Sequence, residues 1–474
     1  MDFANEHLKE RMRHWDGVAQ KRRWRFDGGA FYRKRLIQIM GHLVPSGLRV
    51  LEIGCGEGDI IAHLKPSFGV GVDISHRRLA QAQRRYHDIR FVMCDGHQLA
   101  MHGQFDAIIL SDVLNDVWDV QGLLDALKPV CTARTRLIIN SSSKLWEVPL
   151  RLAVRIRLCT PLMRQNWLTV QDIRNLLHLA DYEMVRAWEE VLFPFPLPLI
   201  EQFLNRMLVR FAPFHLLAIT NFIIARPRTE RSHSKSPSVS IVIPARNERG
   251  NIQRVFSEMP DFGAATELIF VEGNSTDGTY ELIGDCIRNN PRFDARLVKQ
   301  HGKGKGDAVR LGFSLARNEI LMIFDADCTV APDDLVRFYG AIASGKGEFI
   351  NGVRLVYPMG KNAMQVSNLV ANTIFGRIFS WLLGQPVKDT LCGTKALWRS
   401  DYELIAKNRS YFGEADPFGD FDLLFGAARL NLKIIDVPVR YGDRTYGTTN
   451  INRWRHGVLL MRMAFFALNK LKFV

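Results

Sequence analysis

Cysteine is sparse in this chain and never paired in sequence. Seven cysteines are scattered singly through 474 residues, and no two of them form a C-x-x-C pair. Zinc sites and disulfide frameworks use clustered cysteines, so this spacing argues against both. It favours a protein of the reducing cytoplasm.

Long uncharged apolar runs are also absent. The nearest candidates, residues 368–384 and 457–474, are interrupted by Arg377 and by Arg462. The N-terminal stretch MDFANEHLKERMRHWDG is charged and lacks the apolar core of a signal peptide. We therefore expect no membrane-spanning helix. The two basic, apolar segments are compatible with peripheral contact at the inner face of a membrane, and a core-packing or dimer helix is the alternative.

The excess of positive charge limits the partners. The formal net charge is +14, which suits an anionic membrane surface, sugar nucleotides or nucleic acid. A solvated basic surface explains the charge equally well. The chain shows no stacking-aromatic motif or RNA-binding module, so we expect no nucleic-acid partner.

A polar, basic stretch divides the chain near its middle. The segment ARPRTERSHSKSPS, Ala225–Ser238, lies between two apolar strand patterns. It predicts an N-terminal domain at residues 1–226, a linker at 227–237 and a C-terminal domain at 238–474. Both halves alternate short Val/Ile/Leu runs with helical patterns, which is typical of parallel sheets buried on both faces. We expect two α/β domains.

The segment VLEIGCGEGDI places a glycine-rich turn after an apolar strand. The strand ends at Glu52, and Gly54 and Gly56 follow, where glycine lets the backbone approach a ligand closely. Asp59 stands where the dinucleotide fingerprint needs a third glycine, which argues against an NAD-dependent oxidoreductase. The next strand ends at Asp73, where a carboxylate can bind both hydroxyls of a ribose.

Two further predicted strands also end in polar residues. The third runs into Asp95 and Gly96, beside which an adenine could lie, and the fourth runs into Ser111 and Asp112. Ligands of such sheets bind at the carboxyl ends of the strands. Helix caps and turns could explain each residue singly, but four successive polar strand ends favour one binding rim.

These segments resemble the class I S-adenosylmethionine-dependent methyltransferases over residues 36–227. The resemblance implies a Rossmann-like sheet in which the two glycines of the turn face the methionine end of S-adenosylmethionine. It also implies that Asp73 binds the ribose and that Glu52 shapes the turn. The residues that it assigns to the cofactor are Glu52, Gly54, Gly56, Asp73, Asp95, Gly96 and Ser111.

The methyl acceptor is less visible in the sequence. There is no N-P-P-Y-like signature of amino-group methylation. Asp112, Asn115 and Asp116 are expected at the mouth of the pocket. His97 and His102 could act as bases, although a single histidine is more often structural.

The second half begins with the segment VSIVIPARNERGNI. A buried strand stops at Pro244, and polar residues that include Glu248 follow at once. The next strand ends in FVEGNSTDGT, where Glu272 and Asp277 can meet a nucleobase edge and a ribose. This order predicts a nucleoside site at the strand ends.

A basic loop and an acidic pair come next. The segment HGKGKGDAVRLGF carries Lys303 and Lys305 among exposed backbone N–H groups, a suitable environment for a diphosphate. The segment EILMIFDADCT ends an apolar strand at Asp325 and Asp327. Side chains two apart on an extended chain point the same way. The pair therefore predicts a site for Mg²⁺ or Mn²⁺ that also bridges phosphate oxygens.

This order of motifs resembles the family 2 glycosyltransferases of the GT-A fold from Val239 to the C-terminus. The segments GKGKGDAVRLG, NGVR, DTLCGTKAL and VPVRYGDRTYGTTNI resemble the polyprenyl-phosphate branch, which includes dolichol-phosphate mannose synthase. The resemblance implies that Asp325 and Asp327 hold the metal, and it makes Lys395 and Arg444 candidates for an acceptor phosphate. The implied substrate contacts are Pro244, Glu248, Glu272, Asp277, Lys303, Lys305, Arg354, Lys395 and Arg444.

The implied reaction is an inverting transfer from a UDP- or GDP-linked sugar. A lipid phosphate acceptor is already anionic and needs no base, whereas a sugar hydroxyl needs a carboxylate to take its proton. The candidates for this base are Asp389, Glu414, Asp420 and Asp422.

The two halves together predict a bifunctional enzyme of glycan or glycolipid biosynthesis. One alternative keeps both enzymes but gives the methyltransferase an unrelated acceptor, such as nucleic acid or a small metabolite. Another is a non-catalytic, nucleotide-binding scaffold at the membrane surface. The intact glycine turn and the Asp325/Asp327 pair argue against that scaffold.

Overall fold

The chain forms two compact units, residues 1–229 with 473–474, and residues 230–472. Much of the predicted linker, together with His102 and Glu414, lies outside the described residues. The computed structural model describes residues 2–20, 28–101, 103–155, 163–195, 197, 199–228, 236–357, 366–409, 419–447 and 453–473.

One seven-stranded sheet forms the centre of the N-terminal unit. Its strands are β1 Arg49–Ile53, β2 Phe68–Asp73, β3 Ile89–Met93, β4 Ala107–Ser111, β5 Arg136–Ser142, β6 Tyr182–Glu190 and β7 Thr220–Pro227. Their order in the sheet is β3-β2-β1-β4-β5-β7-β6. The helices of this unit are α1 Asp2–Gln20, α2 Gly28–Leu43, α3 Asp59–His63, α4 His76–Arg85, α5 Val120–Ala126, α6 Glu147–Arg155, α7 Val170–Leu179 and α8 Ile200–Gln202.

The C-terminal unit has a seven-stranded sheet of its own. Its strands are β8 Val239–Ala245, β9 Thr266–Glu272, β10 Asp294–Lys299, β11 Ile320–Ile323, β12 Phe349–Val353, β13 Lys395–Trp398 and β14 Ile434–Pro438. They are ordered β10-β9-β8-β11-β13-β12-β14. The helices are α9 Ile252–Glu258, α10 Thr279–Asn289, α11 Lys305–Leu315, α12 Leu335–Ala343, α13 Val366–Leu383, α14 Arg399–Lys407, α15 Asp420–Arg429 and α16 Arg453–Ala467.

The central strands of both sheets are buried on their two faces, and the two sheets with their helices confirm the predicted α/β class. In β1, Val50 packs into one core, while Leu51 and Ile53 pack into another on the opposite face. In β8, Val242 and Ile243 divide between two cores in the same way. Alternate side chains of a strand point to opposite faces, so a continuous apolar run fills two cores at once.

Each sheet also contains antiparallel pairings. Strand β7 runs antiparallel to β5 and β6, and β13 runs antiparallel to β11 and β12. Strand β3 is also not buried on both faces, because it lies at a sheet edge and leaves Val92 40% and Met93 53% exposed. In the described part of the chain, no helix is long and apolar enough to cross a membrane.

Candidate active sites

The glycine turn after β1 depends on left-handed backbone. Gly54 has φ +72° and Gly56 has φ +55°, conformations that favour glycine because they strain residues with a Cβ. The Gly54 N–H donates to the Val72 carbonyl at 2.7 Å. A Cβ on Gly54 would overlap the Cγ2 atom of Val113. The turn therefore needs glycine for both its conformation and its close packing.

Two buried carboxyl groups hold this turn in place. The Asp73 Oδ2 atom accepts a hydrogen bond from the Gly56 N–H at 2.8 Å, and its Oδ1 accepts from the Ser75 N–H at 2.8 Å. The Glu52 Oε2 atom accepts from the Ile61 N–H at 3.0 Å. Burial raises the pKa of Asp73 and raises the pKa of Glu52 well above its ordinary value. Glu52 thus ties the end of β1 to α3, and its role in shaping the turn stays a prediction.

A cavity of about 890 Å³ opens beside the turn, within the range of sites for small-molecule cofactors. Its walls include every residue that the sequence assigned to the methyl donor. Those residues are Glu52, Gly54, Gly56, Asp73, Asp95, Gly96 and Ser111. The structure brings the predicted site together, and the individual binding roles remain predictions.

Helix α1 forms a cavity wall that the sequence did not reveal. Its Arg11 makes an ion pair with Asp116 at 2.6 Å, and the Trp15 Nε1–H donates to the same carboxylate at 2.7 Å. Asp16 accepts a hydrogen bond from the Ser75 hydroxyl at 2.6 Å. The segment is charged and has no turn motif, so the only available signal was its aromatic residue between charged ones.

His97 is held as a structural partner of Asp95. Its Nδ1 atom lies 2.7 Å from Asp95 Oδ1, and its Nε2 atom lies 2.8 Å from the Asp119 carbonyl. The hydrogen bond between the two side chains raises the pKa of His97 and lowers that of Asp95. With both ring nitrogens engaged, His97 is placed to orient Asp95 rather than to act as a base.

Asp112 is the more suitable base on the cavity wall. Its Oδ1 atom accepts from the Tyr32 hydroxyl at 3.2 Å and from the Asn140 side-chain amide at 2.9 Å. Its backbone has φ +54°, which is uncommon for a residue other than glycine and often marks a functional position. Burial raises its pKa to about 6. A carboxylate of this kind can accept a proton near neutral pH.

In the C-terminal unit, Asp325 and Asp327 follow β11 and each meets a cation. Lys305 Nζ lies 2.5 Å from Asp325 Oδ1, and Arg444 Nη2 lies 2.7 Å from Asp327 Oδ2. Arg444 is 117 residues away in sequence from its partner. The Thr329 hydroxyl also donates to Asp327 Oδ1 at 2.8 Å. The tertiary structure thus brings two carboxylates and two cationic side chains together at the end of β11.

The electrostatics of this cluster favour the ionised form of Asp327. Burial raises the pKa of Asp327, but hydrogen bonds from Thr329 and Arg444 outweigh burial and lower it overall. Burial opposes the charge of Lys305, yet Asp325 raises its pKa above the ordinary value. Burial raises the pKa of Glu248, which lies 3.3 Å from Arg444.

The residues fit a divalent cation shared with a ligand. No group of three or more His, Cys, Asp or Glu side chains that could hold a metal occurs in the portion of the chain that the structure describes. Magnesium commonly binds through one or two carboxylates plus substrate phosphates, without an all-protein cage. Asp325 and Asp327 would therefore hold the ion. Lys305 and Arg444 pair with these carboxylates, whose negative charge the ion would neutralise.

The residues predicted to meet the nucleoside lie on two loops. Asp277 accepts hydrogen bonds from the Thr279 hydroxyl at 2.5 Å and the Tyr446 hydroxyl at 3.2 Å. Glu272 is buried and accepts from the Ser275 N–H at 2.5 Å. The sequence did not single out Tyr446, although its loop also supplies Arg444.

Two other predicted substrate contacts are available from the same side of the fold. Pro244 is partly buried near the end of β8. Lys303 is exposed in the basic loop before α11. Both stay predictions, since no ligand contact is present to test them.

Three predicted site residues, one for the donor phosphates and two for the acceptor base, pair with other side chains. Arg354 and Asp389 form a bidentate pair with distances of 2.7 and 2.9 Å, which outweighs burial and lowers the pKa of Asp389. Asp422 is held by Arg409 at 2.8 Å. A carboxylate paired with arginine is a weak base. The structure therefore does not favour Asp389 or Asp422 as the base, and it turns Arg354 toward Asp389.

Lys395 is completely buried, which corrects the expectation that it meets an acceptor phosphate. Its Nζ atom donates to Asn351 Oδ1 at 3.1 Å and to the Cys392 carbonyl at 2.6 Å. It lies 3.6 Å from Asp420 Oδ1. That oxygen is buried and has no hydrogen-bond partner among the described residues. Asp420 is therefore the base candidate whose carboxylate is least committed.

Fold and sites together define a chain of two α/β transferase domains. The family model for glycosyl transferase family 2 matches residues 240–404, and a methyltransferase-domain model matches residues 50–133. Glycosyltransferase AglJ of Haloferax volcanii is 31% identical over 226 residues, which cover 47% of this chain and 69% of AglJ. The chain belongs to the family 2 glycosyltransferases, and its N-terminal half carries a methyltransferase domain.

Other curated relatives are covered less completely. The low-salt glycan biosynthesis hexosyltransferase Agl6 of Haloferax volcanii is 25% identical, with coverage of 47% of this chain and 52% of Agl6. The dolichol-phosphate mannosyltransferase of Pyrococcus furiosus is 25% identical, with coverage of 45% and 59%. The chain therefore spans little more than half the length of these two relatives.

Solved structures resemble each half separately. Glucosyl-3-phosphoglycerate synthase of Mycobacterium tuberculosis, in complex with Mn²⁺, UDP-glucose and glycerol 3-phosphate, is 21% identical. The alignment covers 50% of this chain and 80% of that chain, with a TM-score of 0.37. A methyltransferase from Thermotoga maritima is 15% identical, with coverage of 43% and 91% and a TM-score of 0.34. Both TM-scores are low, so the assignment rests on the family models and on AglJ.

Proposed function

We propose that the C-terminal unit transfers a sugar from a UDP- or GDP-linked donor to a polyprenyl-phosphate or glycan acceptor. The observation that carries this proposal is the cluster of Asp325, Asp327, Lys305 and Arg444 at the end of β11. Such a cluster can hold a donor diphosphate and stabilise the charge that develops on it as the sugar leaves. A bound Mg²⁺ or Mn²⁺ would supply further neutralisation of that charge.

Around this cluster, the other residues take supporting roles. Glu272 and Asp277 bind the nucleoside, and Lys303 can reach the diphosphate from solvent. Arg354 and Asp389 brace the end of β12 through their paired side chains. Asp420 takes the proton of the acceptor when that acceptor is a hydroxyl, because its free carboxylate oxygen lies next to Lys395.

The N-terminal unit acts as the second enzyme in this proposal. Its 890 Å³ cavity holds S-adenosylmethionine against the glycine turn and Asp73. The product of sugar transfer, or a related glycan, is the methyl acceptor. Asp112 receives the proton of an acceptor hydroxyl, and Tyr32 and Asn140 hold Asp112 in position.

Peripheral membrane contact belongs to the same proposal. Helix α16 exposes Val458, Met461 and Phe465 by 56%, 61% and 67%. Their spacing places them on one face of the helix, and Arg462 and Lys470 supply positive charge nearby. A basic helix with such a face can lie in a membrane interface.

A nucleotide-release assay tests the glycosyltransferase. Purified protein with Mn²⁺ meets a panel of UDP- and GDP-sugars, with and without polyprenyl phosphate, beside Asp325→Ala. We expect release from one donor class that is lost in the variant, while the variant still binds S-adenosylhomocysteine. Full activity of Asp325→Ala would refute the metal assignment, and silence with every donor would favour the scaffold.

A further inference from the structure

Large apolar side chains are exposed around the mouth of the methyl-donor cavity. Leu145, Val148 and Leu152 are 64%, 72% and 58% exposed on and just before α6. Leu199 and Phe203 are 78% and 54% exposed on and just before the turn that begins with α8. Contiguous apolar surface of this kind is uncommon on a soluble fold and marks a binding surface for a partner or a membrane.

The exposed side chains of α6 belong to an element that also lines the cavity. Helix α6 and the residues just before it turn Trp146, Leu150 and Ala153 toward the cavity. The loop between β6 and Leu199 contributes Phe193 and Phe195 to the cavity wall. The apolar interior of the cavity is therefore continuous with the apolar exterior around its mouth.

Two hydrogen bonds join the residues before α6 to the residues before β7. The Trp146 Nε1–H donates to the Leu217 carbonyl at 2.9 Å, and the Ser143 N–H donates to the Ile219 carbonyl at 2.7 Å. Leu217 is itself 60% exposed. We call the exposed residues that the structure describes at positions 144–155 and 195–217 the mouth surface.

The exposure of Leu199 to water is energetically unfavourable. It has φ +68° and is 78% exposed. A bulky residue in the left-handed region is strained, and no burial within the described part of the fold compensates for that strain. Insertion of the leucine into an apolar phase would provide the compensation.

The charges at the mouth surface identify the occupant. Lys144, Arg151, Arg155 and Arg206 are exposed there, and the nearby Glu147 is paired with Arg151 at 2.7 Å. A second copy of the chain would bring like charges together and cover the cavity mouth. Anionic lipid headgroups complement these cations, while lipid chains take up the apolar side chains.

We infer that the mouth surface docks on an anionic lipid bilayer, so that the donor cavity opens toward the membrane and the methyl acceptor is a lipid-linked glycan. This inference rests on the proposed function of the N-terminal unit and names the class of its acceptor. It is independent of the contact proposed for α16, because its residues belong to the other unit.

Vesicle co-sedimentation of the full chain tests the inference. The vesicles contain equal parts phosphatidylglycerol and phosphatidylcholine, and the variants are Leu152→Glu alone and together with Leu199→Glu. The matched control is Val336→Glu, because Val336 is 50% exposed on α12. We expect the double variant to lower vesicle partitioning about tenfold or more, and Val336→Glu to leave it within about twofold.

Three further measurements separate the outcomes. S-adenosylhomocysteine binding, unchanged in every variant, shows that the cavity is intact, and its absence from the wild type would refute the proposed methyltransferase site without affecting the vesicle result. Vesicle partitioning of the double variant equal to that of the wild type would overturn the inference. Loss of partitioning in Met461→Glu alone would support only the contact proposed for α16. Conversion of a wild-type dimer into a monomer by the double variant would also overturn it.

Discussion

Asp420 and Lys395 show how burial assigns roles to charged residues. Lys395 is fully buried with two hydrogen-bonded partners, whereas the Oδ1 atom of Asp420 keeps its lone pairs free among the described residues. The Lys395 Nζ atom lies 3.6 Å from that oxygen. Lys395 is thus a positioning residue for Asp420, and the chemistry of the acceptor decides whether Asp420 is needed.

We predict that Asp420→Asn lowers transfer to a sugar hydroxyl by about 100-fold or more, because loss of a general base typically costs that much. Nucleotide binding should be retained, since Asp325 and Asp327 are untouched. Initial rates of nucleotide release would measure the effect, with the exposed Asp285→Asn as the control. An unchanged rate would identify an acceptor that is already anionic, such as a lipid phosphate.

The raised pKa of Asp112 predicts that the stability of the N-terminal unit depends on pH. Burial raises its folded pKa from 3.8 to about 6, so the stabilisation from its neutral form is complete below about pH 3.8 and is lost as the pH rises through about 6. Asp112→Asn resembles the neutral form. We expect the free energy of unfolding of the variant to exceed that of the wild type by about 1–3 kcal/mol at pH 7.5 and to equal it near pH 4.

Chemical unfolding of the N-terminal unit at the two pH values would measure this difference. Asp88→Asn, on the loop before β3, is the control, because Asp88 is exposed. The same difference at both pH values would show that the effect comes from packing and would contradict the assigned titration.

Among the elements, the turn between β1 and α3 depends most on its residue types. Gly54→Ala must place a Cβ on a residue with φ +72° and against Val113. Gly47 is a matched position, since it has φ +82° but no atom within 4 Å of the place that a Cβ would occupy. The pair therefore separates backbone strain from a clash in the turn.

We expect Gly47→Ala to cost about 1 kcal/mol of unfolding free energy, from the backbone alone. Gly54→Ala should cost more and should weaken S-adenosylhomocysteine binding about tenfold or more, because the turn must move. Isothermal titration with S-adenosylhomocysteine and thermal unfolding of both variants would measure the two effects. Equal behaviour of the two would mean that the turn adapts and does not shape the donor site.

The elements differ in how readily the sequence predicts them. Strands β1, β4, β8 and β11 are predictable because each is a continuous apolar run buried on both faces. Strand β13 has only four residues and pairs antiparallel, and its pairing depends on partners far away in sequence. Helix α1 gives no sign in the sequence that it lines the cavity, because a charged segment does not show locally which acid it will meet.

At the scale of the whole molecule, each unit has its own cores and its own site. Ligands of one site should therefore stabilise one unit. We expect S-adenosylhomocysteine to stabilise one unit and UDP with Mn²⁺ to stabilise the other, each by about 2.7 kcal/mol at a hundredfold excess over its Kd. Each ligand should therefore raise the temperature of one thermal transition. Calorimetry would show this, with Asp325→Ala as the control that loses only the second response. A single transition raised by both ligands would contradict it.

The sequence by itself determined the two α/β units, the glycine turn, Asp73 and the Asp325/Asp327 pair. Each of these is a local pattern in which an apolar run ends in a polar residue, and the end of a buried strand is where a side chain meets solvent and ligand. Only the tertiary structure decided that Arg444 meets Asp327, that Arg354 is bound to Asp389, that Lys395 is buried and that α1 closes one side of the donor cavity. Those outcomes depend on distances between residues far apart in the chain and on burial from several elements at once, which no local pattern of residues encodes.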